Sequence, residues 1–115
     1  MARLTIFCES DATYVEVDVL EGRTYRSLKV GDIIRMTSSR RGRTAEYRVH
    51  SIGKLEVQRF SRGVKAVRVV CNVTGYADQR TTFESCLIFT DDRFTIYRPV
   101  PFVPHTNDAD IAAFN

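Results

Sequence analysis

The apolar residues of this chain alternate with polar ones at a period of two almost from end to end, and few folds tolerate that pattern. From Thr13 to Leu20, Val15, Val17 and Val19 alternate with Tyr14, Glu16 and Asp18, which describes a strand with one dry face and one wet face. The same alternation recurs over Leu4–Cys8, Ile33–Thr37, Ala45–Val49, Leu55–Val57, Val67–Val73, Phe83–Phe89 and Phe94–Tyr97. Glycine and aspartate fall between these runs, at Glu21-Gly22-Arg23, Val30-Gly31-Asp32, Arg41-Gly42-Arg43, Ile52-Gly53-Lys54, Arg62-Gly63 and Thr90-Asp91-Asp92. Glycine reaches positive φ at little cost and aspartate bonds its own backbone, so each cluster reads as a turn. Short strands at this spacing predict an all-β fold, a small antiparallel barrel or sandwich. With 115 residues the chain has room for one such domain, expected over residues 1–98, and a tail over 99–115.

The tail differs in kind from the rest. It holds all three prolines, Pro99, Pro101 and Pro104, which cannot donate to a ladder and so predict extended chain at an edge or outside the sheet. Beyond them Asn107 could cap a short terminal helix with Asp108 and Asp110 in its first turn. Phe102, Val103, Ile111 and Phe114 are the tail's candidates for docking on the sheet or on a partner.

One segment resembles a known type of domain. Leu28-Lys29-Val30-Gly31-Asp32-Ile33-Ile34-Arg35, then a basic turn at Arg40–Arg43, then a strand ending Val49-His50-Ser51-Ile52-Gly53, is similar to the opening hairpin of SH3-like, KOW-type small barrels. It departs from the KOW pattern in lacking a glycine early in the second strand. The resemblance covers residues 28–53. It implies an SH3-like barrel, favoured here over a sandwich, that binds nucleic acid or protein through its loops without catalysis.

Charge is distributed unevenly. The net charge of +3 averages over a first segment, residues 1–20, with one base against four acids, and a last segment, residues 71–115, with three bases against six acids. Between them, residues 21–70 carry thirteen bases against Glu21, Asp32, Glu46 and Glu56, a balance of +9. Fourteen of the 17 bases are arginine, whose planar fork suits phosphate and carboxylate. Arg40, Arg41 and Arg43 cluster at a predicted hairpin tip around Gly42, where backbone N–H groups and guanidinium groups can meet an anion together. A second turn repeats the composition with Arg59, Arg62 and Lys65 and adds Phe60, a ring on which a base could stack. Arg35 and Arg48 extend the stripe along the strands that flank the first tip.

These residues predict a non-enzymatic module that engages the phosphate backbone of nucleic acid. The alternative is recognition of an acidic protein surface, as in small accessory proteins of the phage type. A third possibility is self-association, with the acidic ends of one copy against the basic middle of another. The readings differ in where Glu9, Asp11, Glu16 and Asp18 fall. An open basic face favours nucleic acid, whereas acids interleaved with the arginines neutralise the basic excess and argue for dropping that reading.

Catalysis finds no constellation. His50 and His105 are each isolated, with His50 expected on a wet strand face beside Glu46 and Arg48. Cys8, Cys71 and Cys86 lie in apolar runs far from either histidine, and their odd number suits reduced, packed thiols in a cytoplasmic protein. Neither Asp91-Asp92 nor Asp108 with Asp110 supplies enough ligands for a metal, and no zinc spacing or phosphate-cradling glycine loop occurs. No cofactor is expected. The first ten residues carry one base and no apolar run of seven, and no apolar stretch is long enough to span a bilayer, so neither a signal peptide nor membrane association is expected.

Overall fold

The computed structural model describes residues 2–37, 42–59, 62–74 and 80–101. Among the described residues the protein is all-β: seven strands form one antiparallel sheet that is not closed into a barrel. In chain order these are β1 (Ala2–Cys8), β2 (Thr13–Arg23), β3 (Ile33–Thr37), β4 (Thr44–Val57), β5 (Lys65–Thr74), β6 (Thr81–Phe89) and β7 (Phe94–Pro99), with one turn of 3-10 helix at Tyr25–Ser27. The spatial order is β1-β2-β7-β3-β4-β5-β6, so the last strand enters between β2 and β3. No described helix is long and apolar enough to cross a membrane.

Alternation along the strands sorts the side chains onto two faces. Ile34, Ala45, Tyr47, Val49, Val67, Val69, Cys71, Val73, Ile88 and Ile96 are buried together on the inner face of β3–β7. The sheet curls over this core far enough for the Cys86 thiol of β6 to reach the Met36 sulfur of β3, 3.1 Å away, although β4 and β5 lie between those strands in the sheet. On the outer face a smaller cluster joins Cys8, Val17 and Ile33, flanked by Ile6, Val15 and Tyr97. It forms because the β1–β2 turn folds back onto β4. The Ser10 N–H donates to the Glu46 carbonyl at 3.3 Å, and the Ser10 hydroxyl accepts from the Arg48 N–H at 3.0 Å.

Two predicted turns are instead irregularities within strands. Ala45–Val49 and Leu55–Val57 belong to one long β4, whose pairing with β5 shifts register between Val49 and Ser51 and again between Ile52 and Leu55. Gly53 lies in the second shift, where a Cβ would come within 3.2 Å of the Arg68 carbonyl oxygen. The glycine therefore lets two backbones approach and does not reverse the chain. Gly22 likewise lies inside β2 at φ +69, at the register shift between Leu20 and Arg23.

At the C-terminal end β7 carries the sheet to Pro99, which pairs with Val17, and the Val100 N–H donates to the Glu16 carbonyl at 2.9 Å. The predicted terminal helix and the docking residues Phe102, Val103, Ile111 and Phe114 lie outside the described residues, as does His105.

All three cysteines are free; Cys8 and Cys71 are buried and Cys86 is half-buried. Burial is the main cause pushing each thiol up, and Cys71 is pushed up to about 12 from its ordinary 9.0. Cys71 therefore stays protonated in the folded protein when the unfolded thiol would ionise. A group raised on folding contributes stability that is whole below the unfolded value and fades as pH climbs from 9.0 towards 12. Urea unfolding should show a greater loss of stability between about pH 8 and about pH 10 in the natural protein than in Cys71→Ala. Equal losses in the two proteins would contradict this assignment.

Candidate anion-binding surface

The β3–β4 hairpin aligns Arg35 with Glu46 and Ile33 with Arg48, so both arginines stand on the outer face, offset along the hairpin. Neither is free of carboxylates. The Arg35 Nε donates to the Glu46 carboxylate at 2.8 Å. Arg48 donates through Nε to Asp11 and through Nη1 to the Gly31 carbonyl, the latter at 3.1 Å. Near the hairpin tip, Arg43 Nη1 lies 2.6 Å from a Glu9 carboxylate oxygen. Arg40 and Arg41 lie outside the described residues.

The β1–β2 turn produces this neutralisation. Docked through Ser10, it carries Glu9 to one side and Asp11 to the other, and each meets an arginine of β4 or its approach. Of the other N-terminal acids, Asp18 pairs with Arg3 at 3.0 Å across β1 and β2, and Glu16 adds its field to the same arginine. The acids therefore interleave with the described arginines of the first predicted site, which counts against nucleic-acid binding at this hairpin and leaves only the second predicted site to support it.

The second predicted site is arranged differently. Beyond Gly53, β4 and β5 stay paired, and β6 flanks β5 as far as Ala66 opposite Phe89; past that point the β4–β5 hairpin end, called the arm below, continues with Val57 opposite Lys65 and the Gln58 N–H donating to the Val64 carbonyl at 2.8 Å. Between residues 54 and 68 the chain places five bases, Lys54, Arg59, Arg62, Lys65 and Arg68, against the single acid Glu56. All five bases are exposed. Arg59, Arg62 and Lys65 have no carboxylate within ion-pair distance among the described residues. Arg62 also holds a left-handed backbone, at φ +44, next to Gly63 at φ +81. Few side chains adopt that conformation without strain. The arm exposes apolar surface too, with Leu55, Val57 and Val64 retaining 44%, 60% and 43% of their accessible area. Phe60 lies outside the described residues. Lys65 accepts through its carbonyl from the Thr90 N–H at 3.1 Å, which brings up the following turn, where the Asp92 carboxylate accepts from the Phe89 N–H.

His50 is exposed, and its ring lies against Phe83 with centroids 4.6 Å apart. Among the described residues no group of three or more His, Cys, Asp or Glu side chains could hold a metal ion. Asp32, in a predicted turn and in the KOW-like segment, and Arg98, beside the tail, are not marked as partners by the sequence. In the structure the buried Asp32 carboxylate accepts from Arg98 Nε and Nη2, at 3.0 and 2.8 Å, and from the Lys29 N–H at 2.8 Å. No local signal marks a pair whose members are 66 positions apart.

No protein-family model matches this chain, and neither a curated protein nor a solved structure does.

Proposed function

We propose that this protein is a non-enzymatic binding module that engages nucleic acid through the phosphate backbone, using the β4–β5 arm. One observation carries the reading: Arg59, Arg62 and Lys65 stand exposed at one hairpin end without a described carboxylate partner, whereas Arg35, Arg43 and Arg48 are each held by an acid. A hairpin end with exposed cations on both of its strands suits a polyanion, because several phosphates can be met at once and each contact releases counterions. Three unpaired thiols fit a reducing, cytoplasmic setting.

Recognition of an acidic protein surface is the second reading. It is favoured by exposed Leu55, Val57 and Val64, which would supply the apolar contact such an interface needs.

Charge-removal variants tested on a panel of single- and double-stranded DNA and RNA separate the two readings. Changing Arg59, Arg62 and Lys65 together to alanine should weaken nucleic-acid binding at low salt by about tenfold to a hundredfold. Arg35→Ala with Arg43→Ala should change it by no more than about threefold, since those guanidinium groups are already paired with acids. Equal losses from the two sets would return the site to the β3–β4 hairpin. Nucleic-acid affinity untouched by the triple change would remove the arm from the account.

A further inference from the structure

Away from the arm, the turn Lys29–Asp32, Arg48 of β4 and Arg98–Pro99 of β7 line an open surface concavity of about 320 Å³. Three cations from separate parts of the chain line it, and two of them are fixed in place. Arg98 uses Nε and Nη2 on Asp32, and donates again through Nη2 to the Ser27 carbonyl at 2.7 Å. Arg48 uses Nε on Asp11 and Nη1 on the Gly31 carbonyl. That leaves Nη1 of Arg98, Nη2 of Arg48 and the ammonium group of Lys29 with no acceptor among the described residues. Asp32, the one carboxylate in the pocket lining, has a side chain only 3% exposed, and both its oxygens already accept from Arg98 or Lys29. It therefore acts as a buried anchor for a guanidinium and does not compete for a ligand. Counting Asp11, three cations face two carboxylates, so the pocket keeps a positive excess.

We propose that this pocket binds a single phosphoryl group, either free phosphate or a terminal phosphate of nucleic acid. Leftover donors on three side chains that line one concavity suit the several oxygens of a tetrahedral anion better than the two of a planar carboxylate. Prior fixing of Arg48 and Arg98 lowers the ordering cost of binding. Val30 and Pro99 supply an apolar wall for whatever the phosphate is attached to.

Amide NMR of the full chain tests the site, with inorganic phosphate as the probe and chloride at matched ionic strength as the control. Phosphate should shift the amides of Val30, Gly31, Asp32 and Val100 saturably in the millimolar range. Lys29→Gln, a change at an exposed position, should weaken that binding by about threefold to tenfold, and Arg48→Lys by at least as much. The triple change in the arm should leave it unaltered, which keeps this proposal separable from the function of the arm. The same shifts in chloride, shifts unmoved by Lys29→Gln and Arg48→Lys, or no shift at all would each overturn it. A 5′-phosphorylated dinucleotide binding more tightly than inorganic phosphate would support a nucleic-acid end as the source. A 5′-hydroxyl dinucleotide giving the same shifts would overturn the phosphoryl assignment.

Discussion

Asp32→Ala should lower folding stability by about 2–4 kcal/mol, one of the two largest losses expected from a single change in this protein. The Asp32 side chain is 3% exposed and accepts from the Lys29 N–H and twice from the Arg98 guanidinium. Removing it leaves Arg98 packed against the Ser27 carbonyl with its charge uncompensated and leaves the Lys29 N–H without its acceptor. The loss falls short of the most deeply buried ion pairs because the Arg98 side chain keeps 33% of its surface, so water relieves part of the penalty. Asp32→Asn retains the shape and one acceptor, and should cost less. Urea unfolding checks both, with a lower midpoint and an unchanged slope as the expected signature. A midpoint for Asp32→Ala indistinguishable from the natural protein would show that Arg98 finds equal company elsewhere.

Tyr47 is the other large case, and here two substitutions should act in opposite directions. It heads the largest fully buried side chains, at 0% exposure, in the middle of the core that β3 to β7 enclose. Truncation to alanine removes the ring and leaves a cavity, at a cost of about 3–5 kcal/mol. The Tyr47 hydroxyl, however, is buried without a hydrogen-bond partner among the described residues. Tyr47→Phe keeps the packing and removes an unsatisfied polar group, so it should be neutral or stabilising by up to about 1 kcal/mol. A loss well above that from the phenylalanine variant would mean the hydroxyl has a partner that matters.

The strands were legible in the sequence because period-two alternation is a local signal, written for example in Val15, Val17 and Val19 or in Val67, Val69 and Cys71. Turns were less so. Glycine marks a hairpin and a bulge alike, and nothing near Gly53 or Gly22 says that a neighbouring strand continues past it. The order of strands was not legible either. Placement of β7 between β2 and β3 rests on pairings such as Ile33 with Tyr97, which no local pattern encodes.

The candidate site shows the same division. Arginine clusters and the basic middle were plain from composition. Which arginines remain open depends on Glu9 and Asp11, which reach Arg43 and Arg48 across 34 and 37 positions when the β1–β2 turn docks on β4. The arm at Arg59–Lys65 repeats the arginine-rich composition of the first tip, and what separates their described arginines is what the fold brings alongside.

The central claim, that the arm binds a polyanion through its phosphates, is tested most directly by the salt dependence of binding. Fluorescence anisotropy with labelled DNA and RNA should detect binding at low salt. For duplex DNA the logarithm of affinity should fall linearly with the logarithm of salt concentration, with a slope of about −2 to −4, as three or so phosphate contacts require. The arm's triple alanine variant should flatten that slope. No binding to any member of the panel at low salt, or an affinity indifferent to salt, would contradict the account.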